Sequence, residues 1–245
     1  MPTPIKVAAK VSEVTVHTHG LRSYILAPAR RVPMFAPGQF LHLALDPFEP
    51  GSHWPESRVY SIASSPTDRD RLRITVSRQG AFTSRMFDEL QLGSEVWLKL
   101  PYGSFCPNAD LPGRIVMLAG GSGITPFMSF IEWAADNHAA AAIDLHYGAR
   151  SGSLLIYRHI IEGCAAKGLR DLRVRYYVEQ LESGDPADDS LVVGRLSPDE
   201  AWNQLEAPQT ARYYLSGPKS MIDAFRKRLV QLGADESAVL SDDWA

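Results

Sequence analysis

Two stretches of this 245-residue chain gather side chains suited to chemistry. The first, Arg58-Val59-Tyr60-Ser61, continues as Ile62-Ala63-Ser64-Ser65-Pro66 and sets a cation, a flat aromatic ring and a hydroxyl on one short extended segment. A flavin is broad and apolar and carries negative charge at one edge when reduced. It therefore calls for a stacking platform, a nearby donor and a cation for its phosphates. Tyr60 can stack, Ser61 can donate, and Arg58 can neutralise a phosphate through its fork of donors. On a strand Tyr60 and Ser61 point to opposite faces, so both serve only if the strand twists or its backbone touches the ring. Arg-x-Tyr-Ser by itself equally describes an ordinary strand end with a surface arginine.

The second stretch, Gly120-Gly121-Ser122-Gly123-Ile124-Thr125-Pro126, follows the apolar run 115–119. Its glycines let a backbone approach a pyrophosphate, and Thr125-Pro126 suits a helix start. A lone Gly-x-Gly can also merely turn the chain. Two further segments join these. Gly80-Ala81-Phe82-Thr83-Ser84 opens a helical stretch, where free amides and the macrodipole favour an anion. There Thr83 and Ser84 also fit as N-caps. Ser216-Gly217-Pro218-Lys219-Ser220-Met221 ends a later apolar strand.

The elements that must position these residues change character near residue 112. Before it, short β-rich runs recur at 6–17, 22–26, 39–45, 59–63, 72–77 and 95–100, with one helical stretch at 84–90. Turn signals such as Ala36-Pro37-Gly38 and Leu92-Gly93-Ser94 separate them. Six strands and one helix predict a closed antiparallel barrel. Beyond residue 112 strand and helix alternate: 114–119 then 126–137, 141–147 then 154–167, 172–178 then 198–206, and 212–216 then 219–232. That rhythm predicts a parallel sheet covered on both faces. The expected organisation is a two-domain chain: an antiparallel β-barrel over 1–105, a linker over 106–112, and an α/β domain over 113–245.

In order and separation these segments resemble the ferredoxin-NADP reductase superfamily, from about Pro37 to Trp244. Arg58 to Pro66 matches its flavin-binding segment almost residue for residue. Pro37-Gly38-Gln39-Phe40 and Pro101-Tyr102-Gly103-Ser104-Phe105 match segments that begin and end its barrel strands. The resemblance implies FAD, without a fused ferredoxin domain, held by Arg58, Val59, Tyr60, Ser61, Val76, Gly80, Ala81, Phe82, Thr83 and Ser84. It implies NADH or NADPH as co-substrate on Gly121, Gly123, Ile124, Thr125, Pro126, Arg150, Ser216, Gly217, Pro218 and Met221. Ser61, Ser216 and Trp244 take the catalytic places. Ser216 stands where the family carries a cysteine beside the nicotinamide, so hydride transfer is expected at a different rate. Trp244 matches a terminal aromatic that covers the flavin and moves aside for the coenzyme. Asp242 or Asp243 is left open as a proton carrier.

Coenzyme choice turns on the 2′-phosphate of NADPH. Arg150 and Ser151 end the second strand of the α/β domain. The third ends in Tyr177-Val178-Glu179-Gln180, where NADPH-preferring relatives show a Ser-Arg pair before Glu-Gln. Its loss points to NADH. Cys106 and Cys164 are too few for an iron–sulfur cluster, and the seven histidines show no metal spacing. The electrons therefore need a separate acceptor: a ferredoxin, a flavodoxin or an oxygenase component. Reduction of free flavin, or a non-catalytic FAD-binding subunit, are the alternatives. A net charge of −3 speaks against nucleic acid and anionic membranes, and the start of the chain does not read as a signal peptide, so a cytoplasmic protein is expected.

Overall fold

The computed structural model describes residues 3–109, 113–169, 171–182 and 190–242. It divides into two compact units. The first comprises Met1–Cys106 with Met128–Trp133, the second Pro107–Phe127 with Ala134–Ala245.

In the first unit, β1 (Ile5–Thr18), β2 (Leu21–Pro28), β3 (Phe40–Ala44), β4 (Ser57–Ser61), β5 (Leu72–Ser77) and β6 (Glu95–Tyr102) form one sheet in the order β4-β3-β6-β1-β2-β5. Every pairing is antiparallel. The sheet curls into a barrel that is nearly closed between its edge strands: the Ala63 N–H donates to Arg73 O at 2.7 Å. Alternation sends Val7, Ala9 and Val11 of β1, Leu72 and Ile74 of β5, and Val96, Leu98 and Leu100 of β6 into one core. Helix α1 (Ala81–Glu89) adds Phe82, Met86 and Phe87 to that core.

The second unit is a six-stranded parallel sheet made of β7 (Ile115–Gly120), β8 (Ile143–Ala149), β9 (Leu172–Val178), β10 (Leu191–Val193), β11 (Arg212–Ser216) and β12 (Val239–Ser241). Their order is β10-β9-β8-β7-β11-β12. The chain runs outward one way from β7 to β10 and then restarts on the other side at β11. A topological switch point therefore lies between the carboxyl ends of β7 and β11, where open α/β sheets bind ligands. Between strands lie α2 (Thr125–Asp136), α3 (Arg158–Ala166), α4 (Pro198–Asn203) and α5 (Lys219–Leu232). The middle of α2 falls in the first unit and its ends in the second.

Several boundaries differ from the sequence expectation. α1 starts at Ala81, three residues before 84, because Gly80 is its N-cap and Thr83 lies at the third helical position. α3 starts at Arg158 rather than 154: Gly152–Leu154 winds as a 3-10 turn, and Tyr157 adopts φ +68° just before the helix. β4 lies at 57–61 rather than 59–63. The short β10 and β12 are additions to the expected strands, and three residues are too few to show a period.

Candidate functional site

In the first unit β4 pairs with β3 through Leu41 opposite Tyr60 and Leu43 opposite Arg58. Tyr60 is half-buried against the barrel core, and its hydroxyl donates to Met86 Sδ at 2.9 Å. Burial pushes this phenol well above its ordinary range, so it stays protonated and remains a donor. Arg58 is exposed. Its guanidinium lies 5.0 Å from the centre of the Phe82 ring, above the start of α1, and pairs with Glu56 at 2.8 Å. Val59 and Ser61 are half-buried, whereas Val76 is buried in the barrel core.

The start of α1 is preorganised. Thr83 Oγ1 accepts the N–H groups of Gln79 at 2.9 Å and Gly80 at 3.0 Å, and itself donates to Gly80 O at 3.1 Å. Thr83 thus reaches back from inside the helix and is not the N-cap. The first-turn amides of Ala81, Phe82 and Thr83 lie beyond the reach of any intrahelical carbonyl and form the positive end of the helix. Ser84 Oγ accepts from Arg78 Nε at 3.2 Å. Arg78, which also pairs with Asp88, is a second cation at this helix start that sequence reasoning missed. Its place two residues before Gly80 was the available signal. An open helix start, two arginines and a half-buried aromatic suit the pyrophosphate and ring of a dinucleotide flavin.

Residues 63–65, directly after β4, are tightly held within the same unit. Arg73 Nη2 donates to Ala63 O at 2.9 Å and to Glu132 Oε1 at 2.6 Å. Glu132 Oε2 accepts the Ser65 N–H at 3.1 Å, and Ser129 Oγ donates to Ser64 O at 2.8 Å. The side chains of Arg73 and Glu132 are only 13% and 17% exposed. No signal in the sequence linked these positions.

In the second unit the apolar β7 ends in a 3-10 turn, Gly121–Ile124, that leads into α2. Thr125 Oγ1 donates back to Ser122 O at 2.6 Å. At Gly123 the packing is backbone on backbone. A Cβ on Gly123 would collide with the Ser216 carbonyl and come within 2.5 Å of Gly217 N. One on Gly120 would come within 2.7 Å of Met221 Sδ. A Cβ on Gly217, which sits at φ +148°, would come within 3.1 Å of the Gly120 backbone. Gly121, by contrast, is exposed at φ +54° with nothing within 4 Å of its Cβ position. The carboxyl ends of β7 and β11 thus form a tightly packed glycine floor, closed at Gly120 by the Met221 side chain and opening at Gly121. That cradle fits a pyrophosphate of a dinucleotide. Ile124, Thr125 and Pro126 are buried beneath it, Met221 is half-buried and Pro218 is exposed.

Ser216 is buried at the end of β11, and its hydroxyl donates to Asp242 Oδ2 at 3.5 Å. Asp242 is itself buried, its N–H donating to Leu215 O at 2.9 Å. Arg150 is exposed just beyond β8, and Ser151 Oγ lies 3.1 Å from Ser153 Oγ. Trp244 and Asp243 lie outside the described residues. Burial pushes the Cys106 thiol up to about 11, which keeps it protonated. Among the described residues no cluster of three or more potential ligands could hold a metal ion, and no helix is long and apolar enough to cross a membrane.

Comparison with known proteins adds to this geometry. Residues 117–227 match the model of the oxidoreductase NAD-binding domain. The chain is 31% identical, over 236 residues, to the ferredoxin reductase component of a 3-ketosteroid-9-alpha-monooxygenase of Mycobacterium tuberculosis. That alignment takes in 91% of this chain and spans 61% of that relative. Among solved structures, the FAD/NAD-binding domain of a nitric oxide dioxygenase from Vibrio cholerae superposes with a TM-score of 0.80 at 22% identity, covering 96% of this chain and 97% of that one. A ferredoxin NADP+ reductase from Neisseria gonorrhoeae with bound FAD and NADP gives 0.76 at 20% identity, covering 97% and 98%. These structural likenesses carry the two-domain fold.

Proposed function

We propose that the chain is a ferredoxin-NADP reductase-like flavoprotein, an NAD(P)H-dependent, FAD-containing reductase that hands electrons to a separate acceptor protein. When bound, FAD would supply the chemistry: it takes a hydride from the reduced nicotinamide and releases the two electrons onward.

The chain's own residues bind and orient. Arg58 and Arg78, with the first turn of α1, hold the flavin phosphates by charge and by amide donors. Tyr60 offers its ring as a flat wall and spends its hydroxyl on Met86, which fixes the ring's angle. Ser61 offers a donor beside it. In the other unit the Gly120–Gly123 backbone seats the coenzyme pyrophosphate, and Ser216, buried and bonded to Asp242, offers a polar atom at the switch point. Ser216 is also the departure from the family's cysteine. Its smaller, harder oxygen keeps the hydrogen bond but fills less of the nicotinamide's side of the site.

The observation that carries this reading is the glycine floor where the Gly120 and Gly123 backbone closes on Ser216 and Gly217. A sheet that only needed a turn at β7 would not need two glycines, Gly120 and Gly123, packed this closely against a second strand end. The mycobacterial relative, a reductase component of an oxygenase, supports a protein acceptor over free flavin. The absorption spectrum of the purified protein tests the proposal. A yellow protein that bleaches on adding NADH or NADPH under anaerobic conditions, and recovers colour with an added acceptor protein, is the expected result. A colourless protein that neither binds added FAD nor oxidises either coenzyme would overturn it.

A further inference from the structure

We infer that Arg22 is a positioning residue for the flavin: from β2 it holds the carboxyl end of α1, and thereby keeps the amino end of that helix turned to the flavin pyrophosphate. The inference rests on the proposed binding of FAD at α1 and adds a residue that acts through the helix.

Helix α1 ends without a cation of its own. Its last turn carries Asp88 and Glu89 and no basic residue, although cations favour the negative carboxyl end of a helix. It also leaves a carbonyl over. The Gln91 N–H, one turn beyond Phe87, donates to Ser94 Oγ at 3.0 Å, so Phe87 O lacks the amide that would continue the helix.

Strand β2 supplies what is missing. Arg22, near its start and opposite Val76 of β5, donates from Nη1 to Phe87 O at 2.7 Å. Its guanidinium lies 4.4 Å from the centre of the Phe87 ring. Two residues on, and so on the same face of the strand, the Tyr24 hydroxyl donates to Met86 O at 3.4 Å. Successive carbonyls of the last turn are thus held from one strand. The Phe87 ring also has the Arg78 guanidinium at 5.7 Å, so this anchor meets one of the two arginines assigned to the flavin phosphates.

Arg22 is half-buried, its Nε is buried without a partner, and among the described residues no carboxylate pairs with it. Shielding an unpaired cation costs stability, so the fold by itself does not account for its charge. The helix does. Nine residues at 1.5 Å each put the two ends of α1 about 12 Å apart. Over that distance the negative end opposes the attraction of the first-turn amides for a phosphate. A cation on the carboxyl end offsets this, and the bonds to Met86 O and Phe87 O fix the direction in which the amino end points.

The test compares wild type, Arg22→Gln, Gln91→Lys and the double variant by equilibrium titration with FAD and by the phosphorus NMR resonances of bound FAD at saturation. Arg22→Gln keeps a donor and loses the charge. It should raise the FAD dissociation constant about three- to tenfold and move the pyrophosphate resonances, while the visible band of the flavin ring stays in place. Gln91→Lys, at an exposed position just past the helix, returns a cation to the same end and should recover most of the affinity in the double variant. An unchanged dissociation constant in Arg22→Gln, or a weaker one with unmoved phosphorus resonances, overturns the inference and leaves the reductase reading intact. If Arg22→Gln does not fold, Gln91→Lys alone decides: FAD bound about twofold tighter supports the inference, and unchanged affinity overturns it. A wild type that binds no FAD overturns the flavin reading and this inference with it.

Discussion

Along β4 and at the start of α1, the candidate site is made of side chains that already have partners: Arg58 with Glu56, Tyr60 with Met86, Arg78 with Ser84. At the carboxyl ends of β7 and β11 it is made of backbone, and the decisive atoms are the Cβ atoms that are missing. A ligand that meets a side chain can be lost by one substitution without loss of the fold. A ligand that meets a glycine floor shares its support with the sheet, so binding and stability fail together.

Substitution at the floor should have the largest effect. Gly123→Ala places a methyl against the Ser216 carbonyl, which is strand backbone and cannot swing aside. We expect a loss of about 3 kcal/mol or more in denaturant unfolding, at the upper end of overpacking costs. Gly121→Ala, with open space but φ +54°, should lose only roughly 1 kcal/mol. Equal losses at the two positions would break the distinction between floor and opening.

Acid should also separate the two units. His146, buried in β8 with Nδ1 3.1 Å from the Tyr177 hydroxyl, has its pKa lowered from 6.5 to about 4, chiefly by burial. The unfolded chain takes up the proton near pH 6.5, before the folded one does. Stability is therefore complete above that pH and falls as pH drops, by about 3 kcal/mol at pH 4. Unfolding of the parallel-sheet unit, followed between pH 7 and pH 4, should show this slope, and His146→Gln should flatten it. Identical slopes in the two proteins would remove His146 from the account.

The side-chain site should behave the other way. Arg58→Ala removes an exposed cation whose partner Glu56 is equally exposed, so unfolding should shift little. The FAD dissociation constant should rise about 10- to 100-fold, the worth of one charge-assisted bond. Equilibrium titration with FAD reads this directly; unchanged affinity would take Arg58 out of the site. The smallest effect belongs to Tyr60→Phe, which keeps the ring and loses one bond to sulfur. Roughly 0.5 kcal/mol in thermal stability, with FAD retained, is expected. Loss of FAD in this variant would give the hydroxyl a direct part in binding.

The same contrast explains what the sequence could reveal. Strands 72–77, 172–178 and 212–216 and the helix 219–232 match the structure residue for residue, since clean periodicity and apolar faces mark them. The site segments were legible because chemistry restricts their residue types. The glycine floor was legible only as a turn: which backbone packs on Gly123 depends on β7 and β11 lying side by side, almost a hundred residues apart in the chain. The starts of α1 and α3 were misread because Thr83 caps from inside its helix and Tyr157 takes a left-handed conformation more usual for glycine. Arg73 and Glu132 had no local pattern at all.

That last pair constrains how such a chain can change over generations. With both side chains mostly shielded from water, replacing either one alone strands a charge, at a cost of about 3–5 kcal/mol. That is a large share of the margin by which an ordinary domain stays folded. Single steps at position 73 or 132 are thus closed to drift, and the two positions are inherited as one character that changes in both places or not at all. A set of homologous sequences in which these two positions vary independently would contradict this.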